Sequence, residues 1–337
     1  MIATVSFAQS SLLATLSHNG TISTFYGTTA LKEALAKADH GDAITLSAGQ
    51  FQAGNIEKAI TLRGAGMSVN TDSINAHEST ILSGDFSIMI KDTVPERLVM
   101  EGIYHTGSIA NTAQLNNAMF LKCRFYSFSS QGSSNFILKN CTFIHCRFAN
   151  HFWLGSNSNA YMINSVVFCP SNSSTNASNF QFDNCVICWP SGYFPNSVIN
   201  SYYKNCVIIF ASNAGMSNYS IPSSNVAYKC VGINTGGATD LFGLLLSKNT
   251  TNVFLGTSTT SLLKYGYGYS DVNTYELTDE AKTKYLGTDN KEVGIHGGNL
   301  PYEEDPTTPQ ITKCNVAAKS TADGKLSVDI EVKAAEY

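Results

Sequence analysis

The chain has 337 residues, only 14% of them charged, and a formal net charge of −4. So balanced a charge leaves no basic face for nucleic acid, and 43% hydrophobic residues, rich in aromatics, exclude a disordered chain. No run of about 18 apolar residues occurs, so no transmembrane segment is expected.

Residues 1–8, MIATVSFA, read as the tail of a signal peptide, because Ser6-Phe7-Ala8 before Gln9 has the small-x-small form of a cleavage site. Export to the periplasm, the cell surface or the medium is the expectation. Further on, Ala30, Leu31, Ala34, Leu35 and Ala38 recur at helical spacing, with Thr29 set to N-cap. A short amphipathic helix is predicted here, as an N-terminal cap. After it comes a series of β-rich runs: AITLSAGQF from Ala43, ITLRGAG from Ile60, TILSGDF over 80–86 and LVMEGIYH over 98–105.

The series then becomes a repeat. AMFLKCRF, FILKNCTF, AYMINSVVF, FQFDNCVI, SYYKNCVI and NVAYKCVG align on one small column, Cys123, Cys141, Ser165, Cys185, Cys206 and Cys230. Lys122, Asn140, Asn164, Asn184, Asn205 and Lys229 stand one position earlier, and large apolar residues flank them in register. A period near twenty with strand-forming residues predicts an all-β solenoid whose coils stack at ~4.8 Å. Asn suits the bend because it tolerates left-handed backbone, and the predicted Asn ladder would bond from rung to rung. The column cysteines are predicted to be buried thiols, since parallel stacked Cβ vectors do not suit a disulfide. Cys185 and Cys188 form a C-x-x-C, but on a strand they face opposite ways. Cys146, Cys169 and Cys314 find no place in the pattern.

On these motifs (the helix, then GDAITLSAGQF, AITLRGAGM, TILSGDF and the Asn-Cys coils) residues 20–300 resemble the pectin-lyase-like family of right-handed parallel β-helices. They resemble more narrowly the exported β-helix repeat proteins of glycan-using Gram-negative bacteria. The segments make about ten rungs, and the resemblance implies a right-handed coil and a life among polysaccharides. It implies no particular activity, since the fold carries lyases, hydrolases and adhesins alike.

Catalysis on polysaccharides requires acids, and between Ile103 and Thr239 the chain has one carboxylate, Asp183. A hydrolase needs two. Lys122, Arg124, Lys139, Arg147, Lys204 and Lys229 read as solvated surface charges, and His105 as a core residue. The acids gather near the C-terminus, where Thr278 is placed to cap a short helix opened by Asp279 and Glu280. The stretch GTDNKEVGIHGGNLPY would then close the C-terminal end of the coil. Aromatic residues sit instead in or beside the central loops: Phe152, Trp153, Tyr161, Trp189 and Tyr193 are the candidate glycan-stacking rings. Residues 306–337 read as a β-hairpin, simplest as a cap, because Leu326, Val328, Ile330 and Val332 alternate strictly.

The leading expectation is an exported, non-catalytic β-helix that binds glycan or mediates adhesion, with no cofactor and no metal. The alternatives are a polysaccharide lyase or glycoside hydrolase, and a purely structural surface protein.

Overall fold

The structure is a computed structural model that describes residues 12–69, 71, 78–91, 93–110, 114–128, 137–152, 158–168, 177–189, 198–199, 201–210, 226–234, 253–258, 262–265, 273–305, 310–317, 319–321 and 323–333. The signal-peptide reading of residues 1–8 therefore falls outside the described residues.

The first element is one the repeat gave no hint of. Leu13–His18 and Thr21–Tyr26 form an antiparallel hairpin. It turns at Asn19 and Gly20, both at positive φ (48° and 76°), as a two-residue hairpin turn demands. Leu13–His18 also pairs antiparallel with Ala43–Leu46, the first strand of the solenoid. The helix Ala30–Lys37 buries Ala30, Leu31 and Ala34, so hairpin and helix together cover the starting edge of the stack. Thr29 holds the N-cap position, but its hydroxyl does not cap. It donates to Glu33 Oε1 at 2.8 Å instead.

From there the chain coils as a parallel β-solenoid of about six turns. One face stacks Ala43–Leu46, Thr61–Arg63, Val99–Glu101, Met119–Leu121, Cys141–Ile144, Ala160–Ile163, Phe180–Asp183, Tyr202–Lys204 and the start of Val226–Asn234. We call this the open flank. A second face stacks Ile103–Ala110, Arg124–Phe128, Arg147–Phe152, Val166–Phe168, Val186–Trp189, Val207–Phe210 and the end of Val226–Asn234. We call this the covered flank. Short strands such as Gln114–Asn116 and Ile137–Lys139 form the third side. The rungs from Val99 to Val226 carry the six turns, with the two earlier strands extending the ladder before them and Val253–Ser258 pairing parallel after them.

Between the two flanks the chain turns on one left-handed residue per coil: Gly102, Lys122, His145, Asn164, Asn184, Asn205 and Lys229, with φ from 43° to 64°. This corrects the register of one rung. Phe120 pairs with Phe143, not Leu138, and Phe125 pairs with Phe148, not Phe143. Cys141 pairs with Ala160, so the small column runs Cys123, Cys146, Ser165, Cys185, Cys206 and Cys230. Asn140 likewise leaves the ladder. It is left-handed too (φ 53°), but it occupies the corner before the open flank, exposed, with its backbone N–H donating to Asn159 Oδ1. Both corners need the same pair of residues, a left-handed one followed by a small inward one, and Asn-Cys satisfies either.

The interior is a single apolar cluster. Phe120 stacks on Phe143 at 4.6 Å and Phe182 on Tyr203 at 4.9 Å, rung upon rung. Thiols of the small column lie in this cluster, and each donates to backbone carbonyls, as Cys146 does to Phe120 O and Ile144 O. Burial pushes Cys123 well up and Cys141 and Cys146 to about 12, so they act as apolar fillers.

The C-terminal part does not close the end of the coil. Residues 287–305 run back along its side as a strap lying over the left-handed corner. Thr288 N donates to Asn205 Oδ1 (2.9 Å), and Asn184 Nδ2 donates to Gly294 O (3.3 Å). Next, Asn164 Nδ2 donates to Ile295 O (2.7 Å) and Gly297 O (2.8 Å). His145 Nε2 then meets Leu300 O at 2.9 Å, and Lys122 Nζ meets Glu303 at 3.1 Å. The Asn ladder is thus real over Asn164, Asn184 and Asn205, but its amides mostly face this strap, with a single rung-to-rung contact, Asn205 to Asn184 at 3.4 Å. Gly297 and Gly298 sit so close to Asn184 that a Cβ at either would strike its amide.

The hairpin Gln310–Val316 with Val328–Lys333 forms its own two-stranded sheet. Val328, Ile330 and Val332 remain 50–58% exposed on it.

Candidate functional site

The outward side chains of the two flanks have opposite fates. On the covered flank Val166, Phe168, Val186, Cys188, Val207, Ile209, Val231 and Ile233 form a second apolar cluster outside the coil. Leu263, Tyr275, Leu277, Ala281, Tyr285, Val293 and Ile295 of the C-terminal region cover it. Cys188 lies here while Cys185 lies in the inner core, as the strand alternation required. The helix Asp279–Lys284, capped by the Thr278 hydroxyl accepting from Ala281 N, helps to build this cover.

The same cover resolves the scattered bases and the distant acids. Lys122 and Arg147 are buried rather than solvated (both 4% exposed). Lys122 pairs with Glu303, while Arg147 pairs with Glu304 at 2.5 Å and donates to the Tyr302 hydroxyl at 2.6 Å. Burial works against the Arg147 charge, yet Tyr302 and Glu304 outweigh it and hold the guanidinium protonated. Arg124 lies over the Tyr104 ring at 4.2 Å. His145 is buried against the Tyr302 ring, and burial lowers its pKa. Lys122, His145 and Arg147 thus hold the strap in place.

On the open flank one outward column reads Val99, Met119, Thr142, Tyr161, Gln181, Tyr202 and Val226. The next reads Glu101, Leu121, Ile144, Ile163, Asp183, Lys204 and Tyr228. Tyr161 (42%), Tyr202 (37%) and Tyr228 (36%) are exposed, and Gln181 is exposed between the first two. Burial raises the Tyr202 pKa, so its ring carries a neutral phenol. Beside it Lys204 Nζ bonds Asp183 Oδ2 at 2.8 Å. That bond raises the lysine's pKa, with Asp289 of the strap adding to the effect, so Lys204 stays charged and is no free base.

The expected stacking residues divide. Tyr161 is on the open flank. Phe152 is not available, because it packs edge-on against Phe148 at 4.7 Å and joins the inner aromatic core. Trp153 and Tyr193, and the side chain of Trp189, lie outside the described residues. Tyr202 and Tyr228 were missed, although the strict alternation within SYYKN and NVAYK marks both as outward. His105 is a core residue as expected, bonded through Nε2 to Gly84 O at 2.8 Å.

Among the described residues no three or more His, Cys, Asp or Glu side chains gather to hold a metal ion. Likewise, no described helix is long and apolar enough to cross a membrane. A separate cleft of about 550 Å³ lies at the N-terminal end, lined by Lys32, Gly54, Asn55, Glu57, Lys58 and Asp85, with opposite charges interspersed. No family model, curated protein or solved structure matches the chain.

Proposed function

We propose that this is an exported, non-catalytic solenoid that binds glycan, or adheres to a glycan-bearing surface, through its open flank. The observation that carries the reading is the row of exposed tyrosines there, standing on a rigid parallel sheet with an amide between them. Aromatic rings stack on the C–H faces of sugars, and amide and ion-pair groups meet hydroxyls. The motif resemblance to pectin-lyase-like and exported bacterial β-helices agrees with this setting.

Hydrolysis is less well supported. Asp183 and Glu101 share one outward column but stand four rungs apart, roughly 19 Å at ~4.8 Å per rung, against the ~5–10 Å that glycosidase carboxylates require. Lys204, the cation beside Tyr202, is tied to Asp183 and so is poorly placed to act as a lyase base. What favours an enzyme is Asp289, which brings a second carboxylate toward Lys204 from the strap.

The test is a panel of neutral and acidic polysaccharides scored for retention of the protein and for release of reducing ends or unsaturated uronates. Retention without release is the expected outcome. Release abolished by Asp183→Asn would replace binding with catalysis, and no retention on any glycan would leave a structural surface protein.

A further inference from the structure

Tyr161 and Tyr202 occupy one column of the open flank, with a single rung, that of Gln181, between them. Their separation is therefore fixed by the sheet at two strand spacings, roughly 10 Å. Two residues of an extended β-1,4-linked pyranose chain span about the same distance, and every second ring of such a chain presents the same face. A chain lying along the solenoid axis would place one sugar on each tyrosine. The intervening sugar, turned over, would present its hydroxyls to the Gln181 amide.

The charges on this flank narrow the ligand further. Lys204 is its central cation, already neutralised by Asp183 at 2.8 Å and faced by Asp289. Arg63, at the N-terminal end of the flank, is likewise paired with Glu101 at 3.2 Å. Both of these cations are neutralised, so neither offers a free charge to a uronate. Helically coiled α-linked glucans do not keep the required straight two-rung period.

From this spacing and charge, we infer that the open flank is a subsite for a neutral, extended β-linked glycan running parallel to the coil axis. This rests on the glycan-binding reading and deepens it.

Native affinity electrophoresis of the full chain, in gels containing hydroxyethyl cellulose, pullulan or polygalacturonate, tests it. Hydroxyethyl cellulose should retard the protein and the other two should not. Tyr161→Ala and Tyr202→Ala should each weaken retardation about 3- to 10-fold, and Tyr202→Phe, which keeps the ring, should not. The double exchange Gln181→Tyr with Tyr202→Gln preserves composition but sets the rings one rung apart, and it should abolish retardation at an unchanged melting temperature. Undiminished binding by the alanine variants, or a preference for pullulan or polygalacturonate, would overturn the inference while glycan binding stood. No retardation in any of the three gels, nor by any glycan of the wider panel, would remove both.

Discussion

The two flanks of the coil are built on the same ladder and the same left-handed corners, yet the chain's own C-terminal region seals much of one, while among the described residues the tyrosines of the other stay exposed. From Val166 onward the outward residues of the covered flank are Val, Ile, Phe and Cys, a composition that cannot face water over several rungs. On the open flank the equivalent positions hold Tyr, Gln, Thr and an ion pair among the aliphatics. These rings combine apolar faces with polar tips, which is what a wet binding surface tolerates. The comparison separates residues kept for packing from residues free to bind, without any appeal to activity.

The sharpest way to break the comparison is to place the same charge on both flanks. Val207 is fully buried between coil and cover. Val207→Asp should therefore cost about 4 kcal/mol or more, since a carboxylate would be buried without a partner. Tyr202→Asp, one strand earlier and facing the open side, should cost far less. Thermal or urea unfolding of the two variants would decide it, and equal losses would mean that the open flank is also packed.

The anchors of the cover come next. Arg147→Ala would leave Glu304 and the Tyr302 hydroxyl without their cation in a buried site, a loss of about 3–5 kcal/mol by analogy with broken buried pairs. Asn184→Leu removes the amide bond to Gly294 and crowds Gly297 and Gly298, and it should cost about 1–3 kcal/mol. In both variants hydrogen exchange should speed up first over residues 287–305. Protection lost uniformly over the whole coil would show instead that strap and coil unfold as one unit.

How much of this was legible depends on which interactions are local. The coil could be read because each rung repeats the same needs within about twenty residues, and alternation alone sent Cys185 inward and Cys188 outward. One rung slipped because Asn140-Cys141 satisfies a corner as well as His145-Cys146 does, and histidine is an uncommon choice for left-handed backbone. The cover was not legible. Lys122 meets Glu303, and Arg147 meets Glu304, across more than 150 residues of sequence, and nothing local in either segment names the other. The open flank was half legible: Tyr161 stood out, while Tyr202 and Tyr228 were masked by the stronger aromatic signal of the tryptophan-bearing loops.

A pH effect should distinguish the flanks more gently. Burial lowers the pKa of His145, under the strap beside Lys122, Glu303 and Tyr302, and that of His105 in the core beside Gly84 and Asp85. Below about 6.5 the unfolded chain takes up protons that the folded histidines refuse, so stability should fall as pH drops from that value until the native rings also protonate. Above it both states are neutral and these residues give no slope. Melting curves from pH 7.5 to 5 should show the decline, and His145→Gln should flatten part of it. A profile unchanged by that variant would place the proton uptake elsewhere.

The smallest expected effect on stability is also the most informative for function. Tyr202→Ala removes a partly exposed ring from the open flank, and surface changes of this kind usually stay within about 0.5 kcal/mol. Because Lys204 and Asp183 are both more than one-third exposed, Asp183→Asn should also cost no more than about 1 kcal/mol. If the flank is a binding surface, the tyrosine variant should fold and melt like the parent yet lose glycan retention, a separation that the residues buried under the cover, such as Val207 and Ile209, cannot show. Should Tyr202→Ala instead melt as early as Ile209→Ala, whose buried side chain should cost about 2–5 kcal/mol, the ring is part of the packing. The distinction between a covered and an open side would then have no functional content.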